Sequence, residues 1–361
     1  MNYRRSLLLS PIDVGPSGTK VIDLNFPDKI SRIEIKFDAI NPGSVTIQEC
    51  PAANIPKVEL VDGSDVLFSL TGLQTHALDF LDTGRQYICG GSYVPAWGLS
   101  TVLVINFGRF LFDPILALDP KKFINPQLKI TFDEDAAVAS AEANSLTVFA
   151  DIFDEKVVTP TGFLMNKELY EYIPVANATE EVDLPNDYTF RKLILQARVP
   201  DLWVSGIIGN LKLSENNDQK IPFDLTGSQL ENYVHERFGE CFDGIVANLN
   251  TVTGVDIYHM PTQGVKPRGN FYCISDVVQL VPFGYRNKYA TESITGCSVL
   301  DIAGTMPHGC ICIPFGDQAD MADWYVPGTK ALKLKIKAGA NIGATERFHV
   351  LTQQMRPYGG A

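Results

Sequence analysis

Five histidines, His76, His235, His259, His308 and His349, are the first residues to test for chemistry, and no two of them stand at the HxH or HxxxH spacing that brings imidazoles onto one metal ion. His76 and His235 fall on predicted helices, where they are expected to meet water or helix ends, and His308 precedes a predicted strand. Asp133, Glu134 and Asp135 offer three carboxylates just after a strand, the oxygen-rich kind of loop that can hold calcium. A solvated turn is the plainer reading, because nothing else in the sequence supplies the remaining ligands, and no metal or other cofactor is assigned. Trp97, Trp203 and Trp324 would suit a sugar-stacking platform. Their apolar neighbours, as in YVPAWGL and DLWVSGII, favour packing in a core or an interface instead. There is no G-x-S-x-G, no P-loop and no paired Cys/His arrangement, so no catalytic residue is assigned. Glu180 and Glu181 read as surface charge.

The totals narrow the classes further. The 361 residues suit two domains, with 45% apolar and 20% charged residues and a formal net charge of −12. Both halves are acidic, which excludes the basic face that binding to nucleic-acid phosphates requires. No apolar stretch approaches the ~18–20 residues of a membrane span. The start, MNYRRSLLLSP, has an apolar block too short for a signal peptide and closed by Pro11, so the chain is expected to be made and folded in cytoplasm. Without a signal peptide the sequon Asn177-Ala178-Thr179 is discounted. Seven cysteines without metal-type spacing read as reduced thiols, and Cys310 and Cys312 alternate on one face of a strand, toward the core.

The elements that position these residues occur twice. VIDLNFPDKISRIEIKF at 21–37 returns as EVDLPNDYTFRKLILQA at 181–197, and FSLTGLQTHALDFLDTG at 68–84 returns as FDLTGSQLENYVHERFG at 223–239. VLVINFG at 102–108 matches CICIPFG at 310–316, PQLKIT at 126–131 matches LKLKIK at 332–337, and SLTVFADIF at 145–153 has a weaker partner in RFHVLTQQM at 347–355. Five anchors in the same order indicate a duplication. Within each copy, Ile33, Ile35 and Phe37 alternate with Arg32, Glu34 and Lys36, the period of a half-buried strand. Leu128, Ile130 and Phe132 do the same, and so do Leu332, Leu334 and Ile336. Asp62-Gly63 between KVELV and DVLFSL marks a hairpin. One helix interrupts each copy at the same place, opened by the capping boxes Thr71-x-x-Gln74 and Thr226-x-x-Gln229. Leu73, Ala77, Phe80 and Leu81 share one face of the first helix; Leu230, Tyr233, Val234 and Phe238 share one face of the second. The reading is all-β: two tandem eight-stranded jelly rolls, each with a short helix between its middle strands. Domain one is expected over 1–158 and domain two over 159–361, with a linker within 154–174. The second copy is longer through an insertion at about 240–309, in which TQGVKPRGN reads as a polar turn region and FYCISDVVQLVPF as further strands.

Two jelly rolls in tandem with these duplicated FxLTG-plus-helix and strand-Phe-Gly anchors resemble the double jelly-roll major capsid proteins, the lineage of adenovirus and of tailless icosahedral membrane-containing bacteriophages. The resemblance covers nearly the whole chain. It implies self-assembly as a pseudo-hexameric homotrimer that paves the facets of an icosahedral virion. It implies as partners neighbouring capsid trimers, a vertex (penton) protein and the internal viral membrane, with no sequence-specific nucleic-acid binding, and a location in the virion after assembly in the host cytoplasm. It also places the 240–309 insertion as a decoration on domain two. Trp324 and Tyr325, in ADMADWYVPG, and the basic start at Arg4 and Arg5 are then the candidate subunit contacts. Two alternatives stand beside this reading: a viral spike or carbohydrate-binding β protein using exposed aromatics, and a two-jelly-roll glycan amidase-type enzyme with acidic residues at the domain junction.

Overall fold

The computed structural model describes residues 1–361 apart from 43–48, 86–88, 95, 138–141, 200–201, 249–254, 269–285, 290–296, 329–330, 344 and 360–361. The first unit contains β1 (Tyr3–Asp13), β2 (Ser17–Asp23), β3 (Ile30–Ile40), β4 (Lys57–Asp62), β5 (Asp65–Leu70), α1 (Gly72–Thr83), β6 (Cys89–Tyr93), β7 (Gly98–Asn106), β8 (Pro126–Asp133) and β9 (Glu142–Phe153). The second contains β10 (Gly162–Tyr172), β11 (Thr179–Asp183), β12 (Thr189–Ala197), α2 (Val204–Ile207), β13 (Ile208–Glu215), β14 (Lys220–Thr226) and α3 (Gly227–Phe238). It continues through β15 (Cys241–Asn248), β16 (Val255–Tyr258), β17 (Gln263–Arg268), β18 (Arg286–Tyr289), β19 (Cys297–Thr305), β20 (Cys310–Pro314), β21 (Leu332–Ala338) and β22 (Phe348–Pro357).

The strand orders define the fold. In the first unit β1-β9-β3-β7 faces β2-β8-β4-β5; in the second β10-β22-β12-β20 faces β11-β21-β13-β14. Within these four-stranded sheets successive strands cross from one sheet to the other except at the β4–β5 and β13–β14 hairpins, which is jelly-roll winding carried out twice. The alternating residues do what their period predicts: Leu128 and Ile130 are fully buried, as are Leu334 and Ile336, while the lysines between them are not. Each such side chain contributes about 1.5–3 kcal/mol relative to an exposed one.

The duplication extends to irregularities that no residue pattern announced. β3 slips register between Ile30 and Arg32 against β9, and β12 slips between Phe190 and Lys192 against β22. β1 slips between Leu7 and Leu9, and β10 between Glu168 and Tyr170. Bulges therefore recur at Ser31 and Arg191, and again at Leu8 and Leu169. A bulge re-aims every side chain beyond it, so its repetition keeps the two units superposable along the strand.

The repeated Thr-Gly also has a steric cause. Thr71 and Gln74 close the capping box, Gln74 N–H donating to Thr71 Oγ1 at 3.2 Å and Thr71 N–H to Gln74 Oε1 at 2.9 Å; Thr226 N–H donates to Gln229 Oε1 at 2.9 Å in the second unit. A Cβ on Gly72 would collide with the Ala52 carbonyl oxygen, and one on Gly227 with the Ile208 carbonyl oxygen. In both units the first helical residue passes so close to backbone that only glycine fits.

Three sequence expectations change. Gly162–Tyr172, inside the expected linker 154–174, is β10, paired on one side with β22 and on the other, in parallel, with β5. Its run FLM is buried on both faces, so it belongs to a shared sheet. Gln263–Arg268, expected as a polar turn region, is β17, paired with β19. The insertion was expected to decorate domain two, yet its β15, β19 and β17 extend the first unit's sheet through a parallel pairing of β15 with β6. The segment 271–283 lies outside the described residues.

Candidate assembly surface and the junction between units

The sheet β10-β22-β12-β20 is a wall shared by both units. One face, with Leu193, Leu195, Ile311, Ile313, Phe348 and Val350, packs into the second unit's core. The other, with Ile194, Cys310, Cys312 and Leu351, packs into the first unit's core beside Ala77, Phe80 and Leu81 of α1. This explains why CICI and LIL read as unbroken apolar runs: neither face meets water. It also explains a difference between the helices. α1 was expected to show one apolar face, but Gln74, His76 and Asp79 are buried as well, because the second unit covers its far side. α3 buries only Gly227, Leu230 and Val234.

A charged network closes the junction. Asp82, in the last turn of α1, accepts from Arg191 Nη1 at 2.7 Å and from Gln353 Nε2 at 2.9 Å, and pairs with Lys192. Lys192 Nζ also donates to the Leu81 carbonyl at 2.7 Å. All four side chains are buried. Adjacent Arg191 and Lys192 reach the same carboxylate because the bulge at Arg191 breaks the strand's alternation. Burial opposes the charge on Asp82 most strongly, but Lys192 and Arg191 together overcome it and hold the carboxyl below its ordinary range. Further bonds between the units are Arg198 to Glu49 at 2.8 Å through both nitrogens, Arg356 to Asp65 at 2.9 Å, and Tyr358 Oη to the Ala117 carbonyl at 2.8 Å.

His76 is buried rather than solvated; its Nδ1 lies 2.8 Å from His308 Nε2 across the junction. His235, by contrast, is exposed on α3 as expected. Cys310 and Cys312 are buried thiols, and burial raises both, Cys312 to about 12. Asp133 accepts the Asp135 N–H at 3.1 Å and Glu134 accepts from Asn144 Nδ2, so two of the proposed calcium carboxylates are engaged in shaping a capped turn. Among the described residues the cluster with metal-type geometry is elsewhere: Glu168, Glu171 and His349 bring one ligand atom each within 4.8 Å of one another. The bulge at Leu169 creates it by turning Glu168 onto the face of Glu171, which no spacing rule reveals. Burial works against the Glu168 charge, but bonds from His349 and Gln74 outweigh it and lower its pKa. Arg347 pairs with Glu171 at 2.5 Å, so a guanidinium already supplies positive charge to this cluster.

The interface candidates divide. Trp324 points inward: it is 3% exposed, packs with Leu116 and Leu164, and donates Nε1–H to the Asp317 carbonyl at 2.9 Å. The indole thus ties loops of one chain together and offers no exposed ring to a neighbour, which corrects its place among the contacts. Tyr325 is half-buried, its hydroxyl donating to Glu215 Oε2 at 2.7 Å. Arg4 and Arg5 stand on β1 with side chains 44% and 42% exposed, Arg4 beside Asp28 and Arg5 paired with Glu34. Trp97 and Trp203 are about half exposed. β1 lies at one edge of its sheet and β14 at the edge of another.

No family model matches the chain, and no curated protein does. Solved structures do. The major capsid protein P2 of bacteriophage PM2 superposes with a TM-score of 0.56 at 13% identity, covering 99% of this chain and 100% of that one. The STIV MCP gives a TM-score of 0.62 at 10% identity, covering 99% and 97%. PBCV-1 VP54 gives 0.59 at 10% identity, covering 98% and 93%. The fold is a double jelly roll. End-to-end coverage means that both units of this double jelly roll match, and not merely one of them. At these identities the likeness is one of fold, since few side chains are shared. Among the described residues no helix is long and apolar enough to cross a membrane.

Proposed function

We propose that this chain is a major capsid protein, a structural component that assembles as homotrimers to form the facets of an icosahedral virion. The supporting observation is the repeated jelly roll itself. Two units alike down to their bulges, locked by the buried Asp82–Arg191–Lys192 network, make a stiff pair of near-identical wedges. Three such pairs give a quasi-sixfold outline, and each lateral contact between tiles can be weak because a shell multiplies it. The full-length likeness to viral capsid proteins supports the same reading.

The wedges are proposed to be 1–158 and 159–361. Arg4, Arg5 and Tyr325 are proposed as contact residues; neighbouring trimers, a vertex protein and an internal membrane are proposed as partners, and the role is non-catalytic. The acidic composition suits a shell that does not adhere to nucleic acid. The test is light scattering and electron microscopy of the purified chain. The expected species are trimers, each three times the 39.7 kDa of one chain, or sheets and shells built from them. A chain that stays monomeric at high concentration overturns the reading.

A further inference from the structure

Among the described residues, one edge of each kind is satisfied within the chain and one of each kind has a strand neighbour on a single side. Inside the chain, β5 runs parallel to β10, with Phe68 opposite Asn166 and Ser69 opposite Lys167, and α1 behind β5 is covered by the sheet that β10 begins. The second unit repeats β5 and α1 as β14 and α3. There β14 pairs with β13 alone among the described residues, and α3 lacks the cover that encloses α1. The first unit repeats β10 as β1, which pairs with β9 alone among the described residues. Open strand edges carry unpaired N–H and C=O groups and recruit another strand unless blocked.

We propose that β14 and α3 of one subunit bind β1 and its sheet on a second copy, in the register that β5 and β10 hold within the chain. This rests on the trimeric reading above and adds the contact that closes the trimer. A contact joining one edge to a different edge is head-to-tail and closes into a ring when the rotation between copies allows; for three copies that ring is the trimer proposed above.

The duplication fixes the register. Ile33 in β3 corresponds to Leu193 in β12, and their neighbours Ala150 and Thr352 therefore correspond. Ser6 pairs with Ala150 and Lys167 with Thr352, so Ser6 stands where Lys167 does and Arg5 where Asn166 does. On the other edge Phe223 and Asp224 stand where Phe68 and Ser69 do. Asp224 then lies opposite the partner's Ser6, and Phe223 opposite the partner's Arg5. Exposed apolar residues find cover: Leu7, 49% exposed, falls opposite Leu225, and Ile221, 44% exposed, falls opposite Tyr3. Asp224 also shares a face with the partner's Arg4, two positions away and of opposite charge. Arg237 takes the place of Asp82, and the partner's Arg32 and Asp151, an ion pair within their own chain, take the places of Lys192 and Gln353.

The experiment is cysteine cross-linking between co-expressed chains, one carrying Ser6→Cys and the other Asp224→Cys. Opposed residues on neighbouring strands lie within disulfide reach. Oxidation should give a species of twice the chain mass on a non-reducing gel. Asp13→Cys with Asp224→Cys, about seven strand positions out of register, should give none. Lys167→Cys with Ser69→Cys in one chain is the positive control, because that pair is opposed within the chain. Trimers by light scattering that do not cross-link at Ser6 and Asp224, while the control closes, overturn the pairing and leave the trimer standing. Absence of trimers overturns both.

Discussion

His76 Nδ1 on α1 lies 2.8 Å from His308 Nε2 in the turn before β20, so one buried imidazole from each unit meets the other directly. The groups facing this pair are His259, Arg198 and, beyond them, Glu49. Burial, then His76, Arg198 and His259, hold His308 well below its ordinary value; burial pushes His259 down to about 4. Below about pH 6.5 the unfolded chain takes up protons that the folded histidines refuse, so their contribution to stability is complete above that pH and falls as the pH drops toward 4.

His308→Asn removes one of these titrations and keeps a side chain that tolerates the left-handed φ of 49° at this position. The melting temperature of the variant should depend less steeply on pH between 6.5 and 4.5 than that of the unaltered protein. Equal slopes in calorimetry at several pH values would count against the buried-neutral assignment.

Asp79 acts in the opposite direction. Burial raises its carboxyl from 3.8 to about 7 despite the bond from Asn106 Nδ2 at 2.7 Å. Its folded value lies above its unfolded one, so the protonated form supports the fold at low pH and stability is lost as the pH rises through 7. Asp79→Asn keeps an acceptor for Asn106 and removes the charge. Urea denaturation should show stabilisation at pH 8 of up to about 4 kcal/mol, three pKa units at about 1.4 each, and almost none at pH 4. A gain that does not change with pH would contradict this.

Asp82→Ala strips two buried cations of their common partner. Removing one member of a buried charge group costs about 3–5 kcal/mol, because the other charges remain without compensation. Chemical denaturation should show that loss, together with earlier proteolysis between the units. A change below 1 kcal/mol would mean that water replaces the carboxylate.

Gly72→Ala and Gly227→Ala should each destabilise by about 1–3 kcal/mol, as overpacking against a carbonyl does. The sign is informative, since alanine at an unobstructed helical position stabilises by up to about 1 kcal/mol. Thermal melts of the two single variants suffice, and a rise in either midpoint removes the steric account of the repeated Thr-Gly.

The duplication was legible because local chemistry was copied with it. Thr71 with Gln74 and Thr226 with Gln229 each satisfy their own helix start, and Leu128, Ile130 and Phe132 declare a buried face by spacing alone. The junction was not legible. Arg191 and Lys192 read as strand charges until a bulge, which leaves no mark in residue type, turns both onto Asp82. His76 and His308 stand far apart in the chain, and only the packing of α1 against the second unit makes them neighbours. Trp324 was placed at an interface because a large aromatic in a loop suits one; the loop folds back onto Leu116 and Leu164, and the ring goes inside.

By itself the sequence determined that one β unit is present twice, with its helix and strand order, because period and capping act over a few residues. Which edges are joined and which stay open was decided only by the tertiary structure. Pairing β5 with β10, and burying Asp82 between units, depends on contacts between residues distant in the chain, and short-range patterns carry no information about those.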